Sequence, residues 1–268
     1  MRIATWNVNS VVARLPRLID WLGAVEPDVV CLQELKTGDF PVDEVAALGY
    51  EVATHSAGRW NGVAILSRVG VADIRRGLVD EPGFQPADAM LAATEARAVG
   101  ATCGGLRVWS VYVPNGREVG HPHYAYKLEW LAALRETAAA ELATWPAFAV
   151  LGDFNIAPGD ADVWDPAAFA TSTHVTAPER AALTALRDLG LRDVLPRALK
   201  HDTPYTYWDY RAGMFHKNMG MRIDLVYAAA PVADAVADAY VDRDARKGKG
   251  PSDHAPVAVD LDLPAPAA

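Results

Sequence analysis

The sequence has only two cysteines, Cys31 and Cys103, and each sits inside an apolar, strand-like run. That leaves no basis for a disulfide framework or a thiolate metal site and predicts two buried free thiols. No apolar run approaches the roughly 20 residues that cross a bilayer, and no basic-then-apolar leader opens the chain. The expectation is a protein of the cytoplasm with no membrane contact. Basic charge is scarce as well: 25 Lys and Arg against 34 Asp and Glu give a formal net charge of −9, a poor balance for a protein that coats nucleic acid. A site that gathers carboxylates around metal ions would contribute to that negative charge. One local run, Arg243 to Gly250, carries four basic residues and reads equally as a phosphate-docking face or a solvated loop. A Gly-rich Walker loop, zinc-ligand spacing and a nucleophile elbow are all missing.

What is present is 268 residues with 51% hydrophobic and 22% charged side chains, enough to bury a substantial core. Apolar runs predict strands at residues 2–6, 28–32, 50–54, 63–67, 92–102, 106–113, 146–151, 205–208, 222–228, 232–241 and 255–261. Helical spacing of Leu15, Leu18, Ile19 and Leu22 ends at Pro27, residues 43–48 suit a short helix, and 124–143 suit a long amphipathic one. Thr176-Ala177-Pro178-Glu179 holds a capping residue, an early Pro and a Glu three after the cap, so a helix over 177–189 is expected. Many strands with a helix about every second one, and no strict βαβ alternation, argue for an α+β sandwich of mostly antiparallel sheets. No short repeat or linker divides the chain, so residues 1–262 read as a single domain and 263–268 as a disordered tail.

Polar side chains recur where the strands end. Asn7 and Asn9 follow the first strand, Glu34 the second, Tyr112 and Asn115 the hairpin, and Asp153 and Asn155 the run Pro146 to Leu151. If alternation persists, Asp153 and Asn155 point one way and Phe154 the other, into the core. Gly152 permits a close backbone approach. An Asx turn is the plainer account of Gly-Asp alone. Asp224 interrupts an apolar run and needs a partner if buried, and His254, in Ser252-Asp253-His254, is its natural one. Termini on one rim of a sandwich converge, so the conjunction outweighs its members. Hard oxygen donors without thiolates suit Mg²⁺ or Mn²⁺, a carboxylate such as Asp153 takes a proton from water, and a protonated His254 offsets phosphate charge. The matching chemistry is phosphodiester hydrolysis.

The ordered set Trp6-Asn7-Val8-Asn9, Leu32-Gln33-Glu34, Tyr112-Val113-Pro114-Asn115-Gly116, Leu151 to Pro158, Arg222-Ile223-Asp224 and Ser252-Asp253-His254 resembles the exonuclease III family of abasic-site endonucleases. That family lies within the endonuclease/exonuclease/phosphatase group that includes pancreatic deoxyribonuclease. Tyr205 to Arg211 and Ser172 to Arg180 point to its DNA-repair branch. The resemblance implies a four-layer α/β/β/α sandwich with the site at one rim, acting on duplex DNA at abasic sites or 3′ ends as a monomer with Mg²⁺, Mn²⁺ being able to substitute. It further implies roles: Glu34 on the metal with Asn7 close by and Asp253 at a second ion; Asp153 on the attacking water; Asn155 and Tyr112 on phosphate or leaving oxygen; Asp224 with His254 beside the phosphorus. Tyr207, Trp208, Met221 and Ile223 would shape a pocket for a flipped-out abasic sugar, with ordinary core the competing account of Trp208. Asn115, Arg117 and Arg211 would touch the duplex. Asn7 lies only six residues after Met1, so no N-terminal regulatory extension is expected. A phosphodiesterase of the same fold acting on lipid or inositol phosphates, or a binding module without catalysis, are the competing functions.

Overall fold

Alternate residues of nearly every central strand are buried on opposite faces, and that dictates layers on both sides of each sheet. The computed structural model describes residues 1–86 and 90–263, so the expected tail lies outside the described residues from 264 onward. The strands are β1 (Arg2–Asn7), β2 (Val29–Gln33), β3 (Glu51–His55), β4 (Val63–Ser67), β5 (Ala72–Arg76), β6 (Ala98–Cys103), β7 (Leu106–Tyr112), β8 (Phe148–Asp153), β9 (Arg192–Asp193), β10 (Arg197–Ala198), β11 (Asp224–Ala228), β12 (Val236–Val241) and β13 (Val257–Leu261). The helices are α1 (Val11–Val25), α2 (Val42–Ala46), α3 (Pro122–Thr144), α4 (Ala177–Asp188) and α5 (Ala230–Ala233).

Two sheets result, one ordered β10-β12-β13-β1-β2-β4-β3 and one β5-β6-β7-β8-β11-β9. Neighbours run antiparallel except at β1–β2, β7–β8 and β10–β12. Ile3, Val29, Cys31 and Ile65 of the first sheet meet Val99, Val108, Leu151 and Val226 of the second in the central layer. The residues between them face outward under helices: Ala4, Val30 and Leu32 under Leu18, Trp21 and Leu22 of α1, and Trp109, Val150 and Leu225 under Trp130, Leu134 and Leu183 of α3 and α4. Each fully buried aliphatic or aromatic side chain contributes about 1.5–3 kcal/mol, so packing stabilises both faces of the strands. This is the expected α/β/β/α sandwich. A buried polar link crosses the central layer, from Thr5 Oγ1 to Gln33 Oε1 at 3.1 Å and from Gln33 Nε2 to Ser110 Oγ at 3.0 Å. Cys31 and Cys103 are buried free thiols.

The capping box of α4 forms as expected, Thr176 Oγ1 accepting from the Glu179 N–H while Glu179 accepts from the Thr176 N–H. Three expectations need correction, and the edge strand β5 was not expected. The strand expected over 92–102 begins only at Ala98, the stretch before it contributing a single bridge of Ala93 to Phe84. Residues 205–208 form no strand but only isolated bridges of Tyr207 to Met221 and to His254, because Thr206 turns its hydroxyl to the backbone N–H groups of Ile223 and Asp224. The expected strand 232–241 begins as the short helix α5, with Pro231 in its first turn, before β12. The edge strand β5 has no buried residue, so no apolar pattern announced it.

Candidate active site

The strand register places the chemistry. Tyr112 of β7 pairs with Asp153 of β8, and Asp153 pairs with Asp224 of β11, so three of the expected site residues occupy one row across the second sheet. In the first sheet Asn7 pairs with Gln33, and Glu34 is the next residue. Because β1 and β2 run parallel, as do β7 and β8, all four deliver their C-terminal ends to the same rim. His254 arrives from the start of β13 and donates from Nδ1 to Asp224 Oδ2 at 2.8 Å, while its Nε2 lies 3.8 Å from Asp153 Oδ2. Asn7 Nδ2 ties the two sheets together, donating to Glu34 Oε1 and to Asp153 Oδ2, both at 2.9 Å.

Asp153 ends its strand and its Oδ1 accepts the N–H of Asn155 at 2.9 Å. Asn155 takes a left-handed backbone conformation, φ 51°, so strand alternation stops there. The Asx turn thus forms at the candidate site itself. Phe154 packs fully buried against Tyr227. A Cβ on Gly152 would lie 1.9 Å from the carbonyl oxygen of Val111, which is the close approach that requires glycine.

Burial pushes Asp153 up to about 7, with Asp224 and Glu34 adding to the effect and His254 opposing it. Burial alone would lower His254, yet Asp224 and Asp153 raise it to about 10. The imidazole is thus held as the cation. Burial would raise Glu34, but Lys36 and Asn7 bring it below the usual carboxylate range. Tyr112 is pushed well up by burial and by Glu34, so its phenol keeps its proton as a donor. Ligand atoms of Glu34, Asp153 and His254 lie within 4.8 Å of one another. Of these, Glu34 and Asp153 offer hard carboxylate oxygens, while His254 Nδ1 is committed to Asp224 Oδ2. Hard carboxylate oxygens of this kind fit a hard divalent ion.

The model of the endonuclease/exonuclease/phosphatase family matches residues 4–254. The chain belongs to that family. An exodeoxyribonuclease III from Haemophilus influenzae is 30% identical over 96% of this chain and 98% of its own. A variant of the 3′ phosphatase NExo from Neisseria, bound to product DNA hairpin, superposes with a TM-score of 0.90 at 37% identity over 98% of this chain and 100% of that one. An AP endonuclease from Archaeoglobus fulgidus gives 0.88 at 32% identity, with the same coverage.

In this member of the endonuclease/exonuclease/phosphatase family one cavity of about 180 Å³ is lined by Glu34, Tyr112, Asn115, Asp153, Asn155, Tyr207, Met221, Ile223, Asp253 and His254. Asn7 and Asp224 stand behind it, holding Asp153 and His254. Three expected positions lie elsewhere. Trp208 is 1% exposed and packs edge-on against Phe215 under the Arg243 guanidinium, so it is core and meets no ligand directly. Arg117 and Arg211 are exposed, Arg211 paired to Asp209. Asn115 is turned inward, its Nδ2 reaching Asn155 Oδ1 at 3.2 Å and His174 Nε2 at 3.1 Å.

Sequence reasoning missed four residues. His174 lines the cavity. Lys36 Nζ pairs with Glu34 at 2.5 Å and donates to Asn9 Oδ1. Arg97 stacks over the Tyr112 ring at 4.7 Å. Lys127 is fully buried behind Asn155. Only Lys36, two residues after Glu34, carried a usable signal. The basic run is also corrected: Arg243 and Arg246 are buried over Phe215, at 3.9 and 5.0 Å, leaving only Lys247 and Lys249 of the four in solvent.

Proposed function

We propose that this chain is a DNA-repair nuclease. It hydrolyses phosphodiesters of duplex DNA, incising 5′ to abasic sites to leave a 3′-hydroxyl and clearing nucleotides or blocking groups from 3′ ends. The observation that carries this reading is the row Tyr112, Asp153 and Asp224 closed by a charged His254 and faced by Glu34, with all of them but Asp224 lining one cavity. Glu34 would hold Mg²⁺, replaceable by Mn²⁺, with Asn7 beside it and Asp253 available to a second ion. When bound, the ion supplies neutralisation of phosphate charge.

The chain's own groups supply the rest. Asp153, with its raised proton affinity, orients the attacking water and takes its proton. His254, kept cationic by Asp224, lies 3.8 Å from Asp153 and offsets charge that builds on the phosphate oxygens. Asn155 and the protonated phenol of Tyr112 donate to phosphate or leaving oxygen. Tyr207, Met221 and Ile223 form the apolar wall, and a cavity of about 180 Å³ is well below the roughly 300–1,000 Å³ of sites for larger ligands, which suits a base-less sugar. The relatives named above, an exodeoxyribonuclease, a 3′ phosphatase and an AP endonuclease, support these activities. The same reading has residues 1–262 act as one domain and a monomer in the cytoplasm; among the described residues no helix is long and apolar enough to cross a membrane.

The test is a labelled duplex with one abasic-site analogue beside the same duplex with an intact base, each with Mg²⁺ and with EDTA. Mg²⁺-dependent incision immediately 5′ to the analogue is expected. Shortening from the 3′ end alone would restrict the chain to exonuclease action, and no cleavage in any lane would return the lipid-phosphate and binding-module readings.

A further inference from the structure

A lysine on the inward face of a long helix is costly unless something there needs it. Lys127 lies on the face of α3 that also buries Trp130, Leu131 and Leu134, and its side chain is fully buried. Its ammonium donates to the backbone carbonyls of Asn155 at 2.8 Å and Asn115 at 3.2 Å, to Thr173 Oγ1 at 3.3 Å, and to Glu179 of α4. Glu179, equally buried, accepts in addition from Thr173 Oγ1 at 2.6 Å and from the His174 N–H at 2.9 Å. The pair therefore touches three separate segments that wall the cavity: the turn after β7, the turn after β8, and the stretch leading into α4.

Those hydrogen bonds hold the two turns whose side chains, Asn115 and Asn155, line the cavity. With their carbonyls held from behind, Asn155 Nδ2 is aimed at Val113 O at 3.0 Å and Asn115 Nδ2 bridges Asn155 Oδ1 and His174 Nε2. A buried ion pair is weak evidence for stability, since apolar residues of similar volume often replace one without loss. Its value here is directional: Lys127 donates to two turn carbonyls, that of Asn155 at 2.8 Å and that of Asn115 at 3.2 Å, the second shared with Thr173 Oγ1 at 3.1 Å.

We propose that Lys127 and Glu179 are positioning residues of the active site, a buried ion pair that sets Asn115 and Asn155 for phosphate without touching substrate. The proposal rests on the nuclease reading above. Lys127→Met, Glu179→Gln and the double variant test it, with kcat and KM for duplex cleavage measured at saturating Mg²⁺ well below each Tm. The single variants lose stability, whereas the double variant, with no unpaired charge, recovers most of the lost Tm. Its kcat nevertheless stays down by about 100-fold, the effect of misplacing a reacting group by about 1 Å, at unchanged KM. A double variant that recovers Tm and kcat together overturns the proposal. A second measurement needs no activity: in the metal-free protein the side-chain amide resonances of Asn115 and Asn155 shift in the double variant, and unchanged resonances also overturn it. A parent protein that cleaves no DNA would refute the nuclease reading, while the resonances would still decide what the pair positions.

Discussion

Replacing Glu34 by Ala removes a carboxylate for which neither Asn7, committed to both Glu34 and Asp153, nor the cationic Lys36 can substitute. Mg²⁺-dependent cleavage is expected to fall at least about 100-fold, and a near-normal rate at saturating Mg²⁺ would refute its role. Gly152→Ala tests the strand beneath the Asp153 carboxylate. The added methyl meets the Val111 carbonyl oxygen at 1.9 Å, so β7 and β8 must part at the step before Tyr112 and Asp153. Overpacking of that kind costs about 1–3 kcal/mol, and Tm and kcat are expected to fall together. Only some of the site was legible residue by residue. Asp224 stood out because a carboxylate in an apolar run demands a partner, and His254 is that partner at 2.8 Å. Lys127 and His174 were not legible: a lone lysine in a helix reads as solvated, and a lone histidine before a helix reads as loop. Their placement depends on α3 and α4 meeting over the second sheet, which no local pattern announces.

At the scale of elements, the first turn of α4 serves two structures at once. Glu179 completes the capping box with Thr176 and neutralises Lys127. Burial would raise its proton affinity, but Lys127 outweighs that and pulls it down to about 2. A carboxylate depressed on folding contributes stability that is fully present above its unfolded value, about 4.3, and is lost as pH falls through the folded one. The Tm of the parent is therefore expected to drop between about pH 5 and pH 2 more steeply than that of Glu179→Gln, the gap between them closing toward acid. Parallel curves would show that the ion pair does not carry the acid sensitivity. The capping box was readable from Thr176-Ala177-Pro178-Glu179 because its signals are local. So were β2 and β4, whose apolar runs are buried on both faces. The stretch 205–208 misled because Tyr and Trp favour strands, whereas here tertiary hydrogen bonds from Thr206 and a single bridge on each side of Tyr207 decide its path.

For the whole molecule the question is how a chain of net charge −9 holds a polyanion. Carboxylates concentrated at the rim explain part of the excess, and a bound cation would offset them, but attraction still requires exposed basic groups around the cavity mouth. Arg243 and Arg246 are not among them. Their guanidiniums are clamped over Phe215, Trp208 and Tyr210, with Arg243 donating to Phe215 O and Arg246 to Trp208 O. They brace the segment that carries Tyr207 against the one that leads to His254. The exposed cations on those segments are Arg211, Lys217, Lys247 and Lys249. Binding of duplex DNA in EDTA, followed against salt concentration, separates the two groups. Alanine at Arg211, Lys217, Lys247 and Lys249 is expected to leave Tm unchanged and to reduce the slope of log K against log salt by about 0.9 for each phosphate that is no longer neutralised. Alanine at Arg243 and Arg246 is expected to lower Tm, because two cation–π stacks and their backbone hydrogen bonds disappear, with little change of slope. Equal loss of slope in both sets would mean that the buried arginines open to the DNA, and the rim would then be a surface that rearranges on binding rather than one already set by its aromatic clamps.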